Sequence, residues 1–263
     1  MPLNYSEICS KVCEISRMAG MFIANERKSF DASKIEKKGF SDLVSYVDKE
    51  AEKQIIKALQ NLIPAAGYIA EEGTSTKRGE QYNWVIDPLD GTTNFVHGTP
   101  IYAVSIGLLD GEKAVLGVVY EIGRDECFYA WKNGGAFLNG NPIKVSTRST
   151  LSESLIGTGF PYVNSTRVDK QMDLIKWCTV QSRSVRVIGT AATDLCYVAC
   201  GRHEAYFEFG LKPWDVTAGV VIVKEAGGFV SDFKGANNFI FGGEVLATNG
   251  LITKEMLEAV KEV

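Results

Sequence analysis

From residue 82 to 146 the chain lays down strand after strand, and from residue 154 onward strand alternates with helix, so no all-α or all-β fold accommodates it. Trp84-Val85-Ile86 is a short apolar, β-favouring run. Two longer apolar runs, 103–109 and 114–120, flank Asp110-Gly111, which is a hairpin signal. Cys127 to Trp131 reads as a further strand, and Asn133-Gly134-Gly135 and Asn139-Gly140-Asn141-Pro142 mark turns after it. These residues predict a largely antiparallel sheet. The later alternation predicts strands at 154–158, 185–188, 205–209, 228–230 and 245–248. Helices fall at 168–178, 191–200, 216–226 and 254–261, the pattern of a layered α/β arrangement.

Ahead of the sheet, Ile8, Val12, Ile15, Ala19, Phe22 and Ile23 recur at helical spacing over residues 5–28. Residues 29–41 are polar and read as a loop. A second helix begins near Ser45, turns Val47, Ala51, Ile55, Leu59 and Leu62 inward, and is closed by Pro64. Gly67-Tyr68-Ile69-Ala70 is a strand running into Glu71-Glu72-Gly73. With no repeat and no Pro/Gly/Ser linker, the expectation is one compact domain over 1–263, its halves about 1–150 and 151–263.

Composition excludes several classes. The chain is 45% hydrophobic and 23% charged, which is ordinary for a globular protein. A net charge of −4 gives no basic excess for nucleic acid, so no nucleic-acid partner is expected. The one basic cluster, Lys34 to Lys38, is interrupted by Glu36 and reads as a solvated loop. No apolar run is long enough for a membrane span, and no signal peptide opens the sequence, so no membrane partner and a cytoplasmic location are expected. Six cysteines in apolar surroundings, with only His97 and His203 beside them in the composition, read as buried free thiols rather than a zinc site. His97 reads as loop packing.

The chemistry concentrates in Asp87-Pro88-Leu89-Asp90-Gly91-Thr92-Thr93-Asn94. Asp87 is expected to end the strand, because Pro88 cannot donate to a ladder. Asp90-Gly91 is a turn signal, and Gly91 lets backbone approach a ligand closely. Thr92 to Asn94 then open a short helix. Carboxylates at a strand end suit a hard divalent cation such as Mg²⁺, and a helix start offers N–H groups to an anion. Together they describe a phosphate pocket.

This stretch resembles the signature of the inositol monophosphatase family of Mg²⁺-dependent, lithium-sensitive phosphatases. Pro213-Trp214-Asp215-Val216-Thr217-Ala218-Gly219 resembles the family's second signature, and Glu71-Glu72 its acidic pair. The resemblance runs from about Ile8 to the C-terminus. It implies an α-β-α-β-α sandwich, a homodimer, and two or three Mg²⁺ ions roughly 3.5–4 Å apart where they pair. Glu71, Asp87 and the carbonyl of Leu89 would hold the first ion, and Asp87, Asp90 and Asp215 the second, with a third beside Glu71. The catalytic set would be Glu71, Thr92 and Asp48, orienting and deprotonating a metal-activated water without a covalent phosphoenzyme. Locally, Asp48 also fits an acidic capping box with Ser45, and Asp215 fits an N-cap. Lys37 and Asp42 align with family positions of softer role.

The resemblance further implies that Asp90, Gly91 and Thr92 contact the phosphate ester. Gly189-Thr190-Ala191-Ala192 would touch the leaving alcohol, and Glu208 would accept its hydroxyls; a nearby Arg or Lys is the alternative partner for Glu208. Asp194 lies one turn into the same helix and is given no role. The function so implied is hydrolysis of a small phosphate monoester, inositol 1-phosphate foremost. Fructose 1,6-bisphosphate, histidinol phosphate and 3′-phosphoadenosine 5′-phosphate stay open as substrates. A non-catalytic regulatory or RNA/polymerase-associated role stays open as a different class.

Overall fold

The computed structural model describes residues 3–30, 36–37, 43–44, 46–160, 167–261 and 263. Among these residues the chain forms seven α-helices and two main sheets, arranged in the layered α/β order expected. Helices α1 (Tyr5–Lys28) and α2 (Tyr46–Leu59) form the first layer. A two-residue ladder, β1 (Glu36–Lys37) with β2 (Leu43–Val44), interrupts the expected loop between them. Asp42, Ser45, most of the Lys34–Lys38 cluster and the side chain of Lys37 lie outside the described residues.

The seven-stranded sheet runs in the order β3 (Gly67–Ala70), β4 (Tyr82–Asp90), β5 (Ala103–Asp110), β6 (Lys113–Glu121), β7 (Glu126–Trp131), β8 (Gly135–Leu138) and β9 (Asn141–Ile143). It is antiparallel except that β3 lies parallel to β4. The short α3 (Thr92–His97) hangs from the end of β4. The five-stranded sheet has the order β11 (Ser184–Arg186), β10 (Leu155–Thr158), β12 (Ala205–Phe209), β14 (Glu244–Thr248) and β13 (Phe229–Ser231). Between the sheets lie α5 (Ala191–Ala199) and α6 (Pro213–Glu225), and outside the second sheet lie α4 (Val168–Gln181) and α7 (Thr253–Val260).

Three apolar cores account for this stacking. Val12, Ala19 and Ile23 of α1 and Val47, Ala51 and Ile55 of α2 pack with Trp84, Ile86, Ile106 and Leu108 on one face of the large sheet. The opposite face, with Val85, Val119 and Phe128, shares a core with α5, α6 and residues Tyr206, Val245 and Ala247 of the second sheet. Leu174, Met256 and Val260 cover that sheet's outer face.

The central helix α6 is almost entirely apolar and small on its sheet side, and the sheet matches it. Gly107 and Gly117 are register partners on β5 and β6. A Cβ at Gly117 would stand 2.2 Å from the carbonyl oxygen of Ala218, and one at Gly107 would stand 2.6 Å from Thr217 Cγ2. Backbone therefore meets helix directly, and this close approach brings the first turn of α6 over β5. There Ser105 Oγ donates to the carbonyl of Trp214 at 3.2 Å. Among the described residues no helix is long and apolar enough to cross a membrane. The six cysteines are free thiols, four buried and Cys13 and Cys200 half-buried.

Candidate metal centre

The strand β4 does not stop at Asp87, as Pro88 led us to expect, but continues to Asp90. Asp87 pairs with Ser105 and Asp90 with Ala103, so three steps on β4 match two on β5. That is a one-residue bulge, and it resolves the contradiction, since a bulge is one of the few places in a sheet where proline is tolerated. It also settles direction. Ser105 and Ala103 share a face, so their partners Asp87 and Asp90 share one too. A regular strand would put residues three apart on opposite faces.

Asp87 is buried, 2% exposed, and its Oδ1 accepts the amide of Leu89 at 2.9 Å. Gly91 then turns the chain at φ +90°, where a Cβ would stand 3.2 Å from the carbonyls of both Gly189 and Ile101. Glycine is required there on both counts. The hydroxyl of Thr92 lies 3.0 Å from Asp48 Oδ1 and 3.0 Å from the Leu89 carbonyl, and its one hydrogen serves one of them at a time. Asp48 is buried on α2, so it is the partner of Thr92 that the family resemblance implied.

Glu71 follows β3, and its amide donates to the carbonyl of Ile86 at 3.1 Å, which extends the parallel pairing one residue and sets Glu71 next to Asp87. A residue that the sequence reading missed holds this turn. Glu52 on α2 is fully buried; its Oε2 accepts the amide of Glu72 at 2.7 Å and its Oε1 accepts the amide and hydroxyl of Thr74 at 2.8 and 2.7 Å. The available signal was its place one turn after Asp48, on the face that also carries Ala51 and Ile55. Asp48 and Glu52 thus make α2 a brace for both acidic loops.

Asp215 is not an N-cap. Helix α6 begins at Pro213, earlier than the predicted 216, and Asp215 occupies its first turn. Its Oδ2 accepts the amide of Lys212 at 2.6 Å, half of a capping box, with the carboxylate near the positive end of the helix dipole.

The segment 188–192 meets the same place. Asn94 Nδ2 donates to the carbonyls of Ile101 and Ile188 at 2.9 and 2.7 Å, stitching α3 to this segment. Thr190 caps α5, and its hydroxyl donates to Asp90 Oδ2 at 2.5 Å, which the amide of Ala192 also reaches at 2.8 Å. In this structure, then, the donors at Thr190 and Ala192, expected at the alcohol, serve Asp90. Glu208 stands on β12 within electrostatic reach of Asp90 and Asp215, and Tyr206 rather than an Arg or Lys is its hydrogen-bond partner. Asp194 is buried one turn into α5, and His97 is exposed at the end of α3.

The electrostatics are those of crowded acids. Burial pushes the Asp87 carboxyl well above its ordinary range, and the charges of Glu71, Asp90 and Asp215 push it further, together with a hydrogen bond to Glu71. A hydrogen bond between two carboxyls needs a proton on one of them. Burial raises Asp90 to about 6, against the pull of the Thr190 hydroxyl and the amides of Ala192, Ala191 and Gly91. Asp215 is raised by burial and by Asp90. Among the described residues no three His, Cys, Asp or Glu side chains are gathered into a group that could hold an ion as they stand. The donors are all hard oxygens, which fits Mg²⁺ and not a thiolate- or imidazole-seeking metal.

Comparison with known proteins agrees with this geometry. Residues 4–263 match the inositol monophosphatase family. The chain belongs to that family. Within it, the chain is 41% identical to a putative Nus factor SuhB of Neisseria meningitidis serogroup B, covering 93% of this chain and 94% of the relative. It is 36% identical to an inositol-1-monophosphatase of Mesorhizobium japonicum, covering 98% and 97%. The crystal structure of the extragenic suppressor protein SuhB of Bartonella henselae superposes with a TM-score of 0.91 at 35% identity, over 97% of this chain and 98% of that one. Membership of the inositol monophosphatase family makes this a phosphatase-family chain, and the family is in general Mg²⁺-dependent.

Proposed function

We propose that this chain is a Mg²⁺-dependent phosphomonoesterase that hydrolyses inositol monophosphate. One observation carries the reading: Glu71, Asp87, Asp90 and Asp215 arrive from three separate elements beside the Gly91–Thr92 turn, with electrostatics that call for a cation. Glu71, Asp87 and the Leu89 carbonyl would hold one ion, and Asp87, Asp90 and Asp215 a second, with a third beside Glu71. When bound, Mg²⁺ supplies Lewis acidity towards the phosphoryl group and towards water.

The chain's own residues do the rest. Thr92, donating to Asp48, turns its lone pairs outward to orient a water, and Glu71 accepts that water's proton. The turn at Gly91 and Thr92 offers backbone N–H groups to phosphate oxygens. The segment 189–192 fixes Asp90 and borders the leaving alcohol, whose hydroxyls meet Glu208. Inositol monophosphate as substrate is supported by Glu208 and by the activity that the Mesorhizobium relative is named for. Lithium inhibition and a homodimer belong to the same proposal and rest on the family resemblance; a single domain and a cytoplasmic location belong to it and rest on the sequence pattern.

The test is phosphate release, with Mg²⁺ and with EDTA, from inositol 1-phosphate, fructose 1,6-bisphosphate, histidinol phosphate and 3′-phosphoadenosine 5′-phosphate. Turnover that is fastest on inositol 1-phosphate and abolished by EDTA is expected. Folded protein that binds Mg²⁺ yet releases phosphate from none of the four would overturn the reading. The name of the Neisseria relative, putative Nus factor, favours a second reading as a binding protein. Asp90→Asn separates the two: hydrolysis should fall by at least ~10²-fold, the scale of losing one charge-stabilising group, while a binding function survives.

A further inference from the structure

We infer that Tyr206 is a positioning residue for the leaving alcohol: it holds one oxygen of Glu208 and so presents the other to a single hydroxyl of a polyol. The inference rests on the phosphomonoesterase reading above and assigns the selectivity of that site to a residue with no place in the metal cluster.

Tyr206 and Glu208 are two apart on β12, so they stand on the same face of the strand. That face looks onto α5, not onto the outer helices. Tyr206 is fully buried, and its hydroxyl donates to Glu208 Oε2. A buried tyrosine hydroxyl needs a partner, and this carboxyl supplies it. Glu208 is 9% exposed. Among the described residues no donor reaches its Oε1, and that atom is not sealed from solvent, so Oε1 is the oxygen left to meet a ligand.

The neighbouring strand is cut away to allow this. Gly157 on β10 is the register partner of Tyr206. A Cβ at Gly159 would stand 2.1 Å from Glu208 Oε2 and 2.6 Å from Oε1, so the carboxyl lies flat on bare backbone. The carbonyl of that same Gly159 accepts Nε2 of the fully buried Gln171 at 2.5 Å, which fixes the strand behind the carboxyl. Glu208 therefore has a floor at Gly159, a clamp at Tyr206 and one open oxygen.

The side-chain charges bearing on Glu208 are Asp194, Asp90 and Asp215, all acids. A second phosphate on the leaving group would meet no basic side chain among them, whereas a neutral hydroxyl meets a hydrogen-bonding oxygen. Burial raises Glu208 to about 8 against the Tyr206 hydrogen bond. In its neutral form, with Oε2 accepting from Tyr206, the proton sits on Oε1 and can be donated to a hydroxyl oxygen; in its charged form Oε1 accepts from one. A hydroxyl satisfies either state, because it both donates and accepts, whereas an anion, which only accepts, is satisfied by the protonated state alone.

The experiment is Tyr206→Phe, which removes only the hydroxyl, assayed with Mg²⁺ on inositol 1-phosphate and on p-nitrophenyl phosphate, whose leaving group carries no further hydroxyl. KM for inositol 1-phosphate should rise about 5–10-fold with kcat within about twofold, the scale of one hydrogen bond. Both constants for p-nitrophenyl phosphate should stay unchanged. Equal changes on the two esters, or no change on either, overturn the inference. Wild-type protein inactive on both esters overturns the phosphomonoesterase reading instead. The clamp is then read from the infrared carboxyl band of Glu208, assigned by its loss in Glu208→Gln: myo-inositol should shift the band in wild type and not in Tyr206→Phe. A shift that persists in Tyr206→Phe overturns the inference.

Discussion

At the residue scale the site is a set of carboxylates whose charge is opposed by burial and by one another, each held by donors that leave it little freedom. Asp90 shows the dependence best, because its Oδ2 is held from another element by Thr190 and Ala192. Thr190→Val should weaken Mg²⁺ binding by roughly 10-fold or more, the usual effect of removing a group that orients a metal ligand, and isothermal titration would measure it. Glu208 gives a prediction in pH. Its folded pKa, about 8, lies above the ordinary 4.5, so between those values the native chain holds a proton that the unfolded chain has released. Stability contributed at this residue is therefore lost as pH rises from about 5 towards 8, at up to ~1.4 kcal/mol per pH unit within that window. Metal-free Glu208→Gln should melt closer to or above wild type at pH 8 than it does at pH 5; a Tm difference independent of pH would contradict this. Asp87, Asp90, Asp215 and their neighbours were legible in the sequence because their spacing and their glycine are local. Glu52 and Tyr206 were not, since a buried Glu on a helix and a Tyr on an apolar strand look like ordinary surface and core until their partners, many residues away or hidden by the strand register, are known.

At the element scale, direction is set by three devices: the bulge in β4, the brace of α2, and the close seat of α6 on the Gly107–Gly117 pair. The last of these positions Asp215, since α6 can bring its first turn over β5 only while the sheet beneath has no side chains. Gly117→Ala should destabilise the fold by about 1–3 kcal/mol, as overpacking does, and raise KM or the Mg²⁺ requirement by displacing Asp215. Urea unfolding and a Mg²⁺ titration of activity would show both, and an unchanged midpoint would mean that the helix has slack that the 2.2 Å approach denies. Strand and helix order was readable from hydrophobic period and turn residues. The end of β4 and the start of α6 both differ from the expected bounds, and both lie at a proline. Pro88 sits inside a bulge instead of ending its strand, and Pro213 opens the helix at a position where a missing N–H costs nothing.

At the scale of the whole molecule, the acidic cluster joins elements from both sheets and both inner helices, so an ion bound there ties distant parts of the chain together. Mg²⁺ should raise the melting temperature, by the equivalent of about 2.7 kcal/mol at a hundred times its dissociation constant, and EDTA should reverse the change. Calorimetry at fixed protein concentration would check it, and a Tm indifferent to Mg²⁺ would mean that the carboxylates close on no ion. The stacking of layers was the least legible level. Period and turns say which face of an element is apolar, but the shared core of α5 and α6 between two sheets is a property of pairings far apart in the chain.

The extra residue in β4 gives the chain a sense of count. Most lengthening or shortening of this protein would be absorbed at exposed turns such as Asp110-Gly111. Loss of one residue between Asp87 and Asp90 would restore perfect pairing with β5, and would very nearly be an improvement in the sheet. The same loss would leave both aspartates on one face, two residues apart, but would remove the bulged backbone that presents the Leu89 carbonyl beside them. Gene copies that drift by a codon here would still encode a folded, well-paired protein, but one whose carboxylates had lost their spacing. Descendants of this chain that have retired from catalysis can be sought by the length of this stretch alone, before any residue in it is compared.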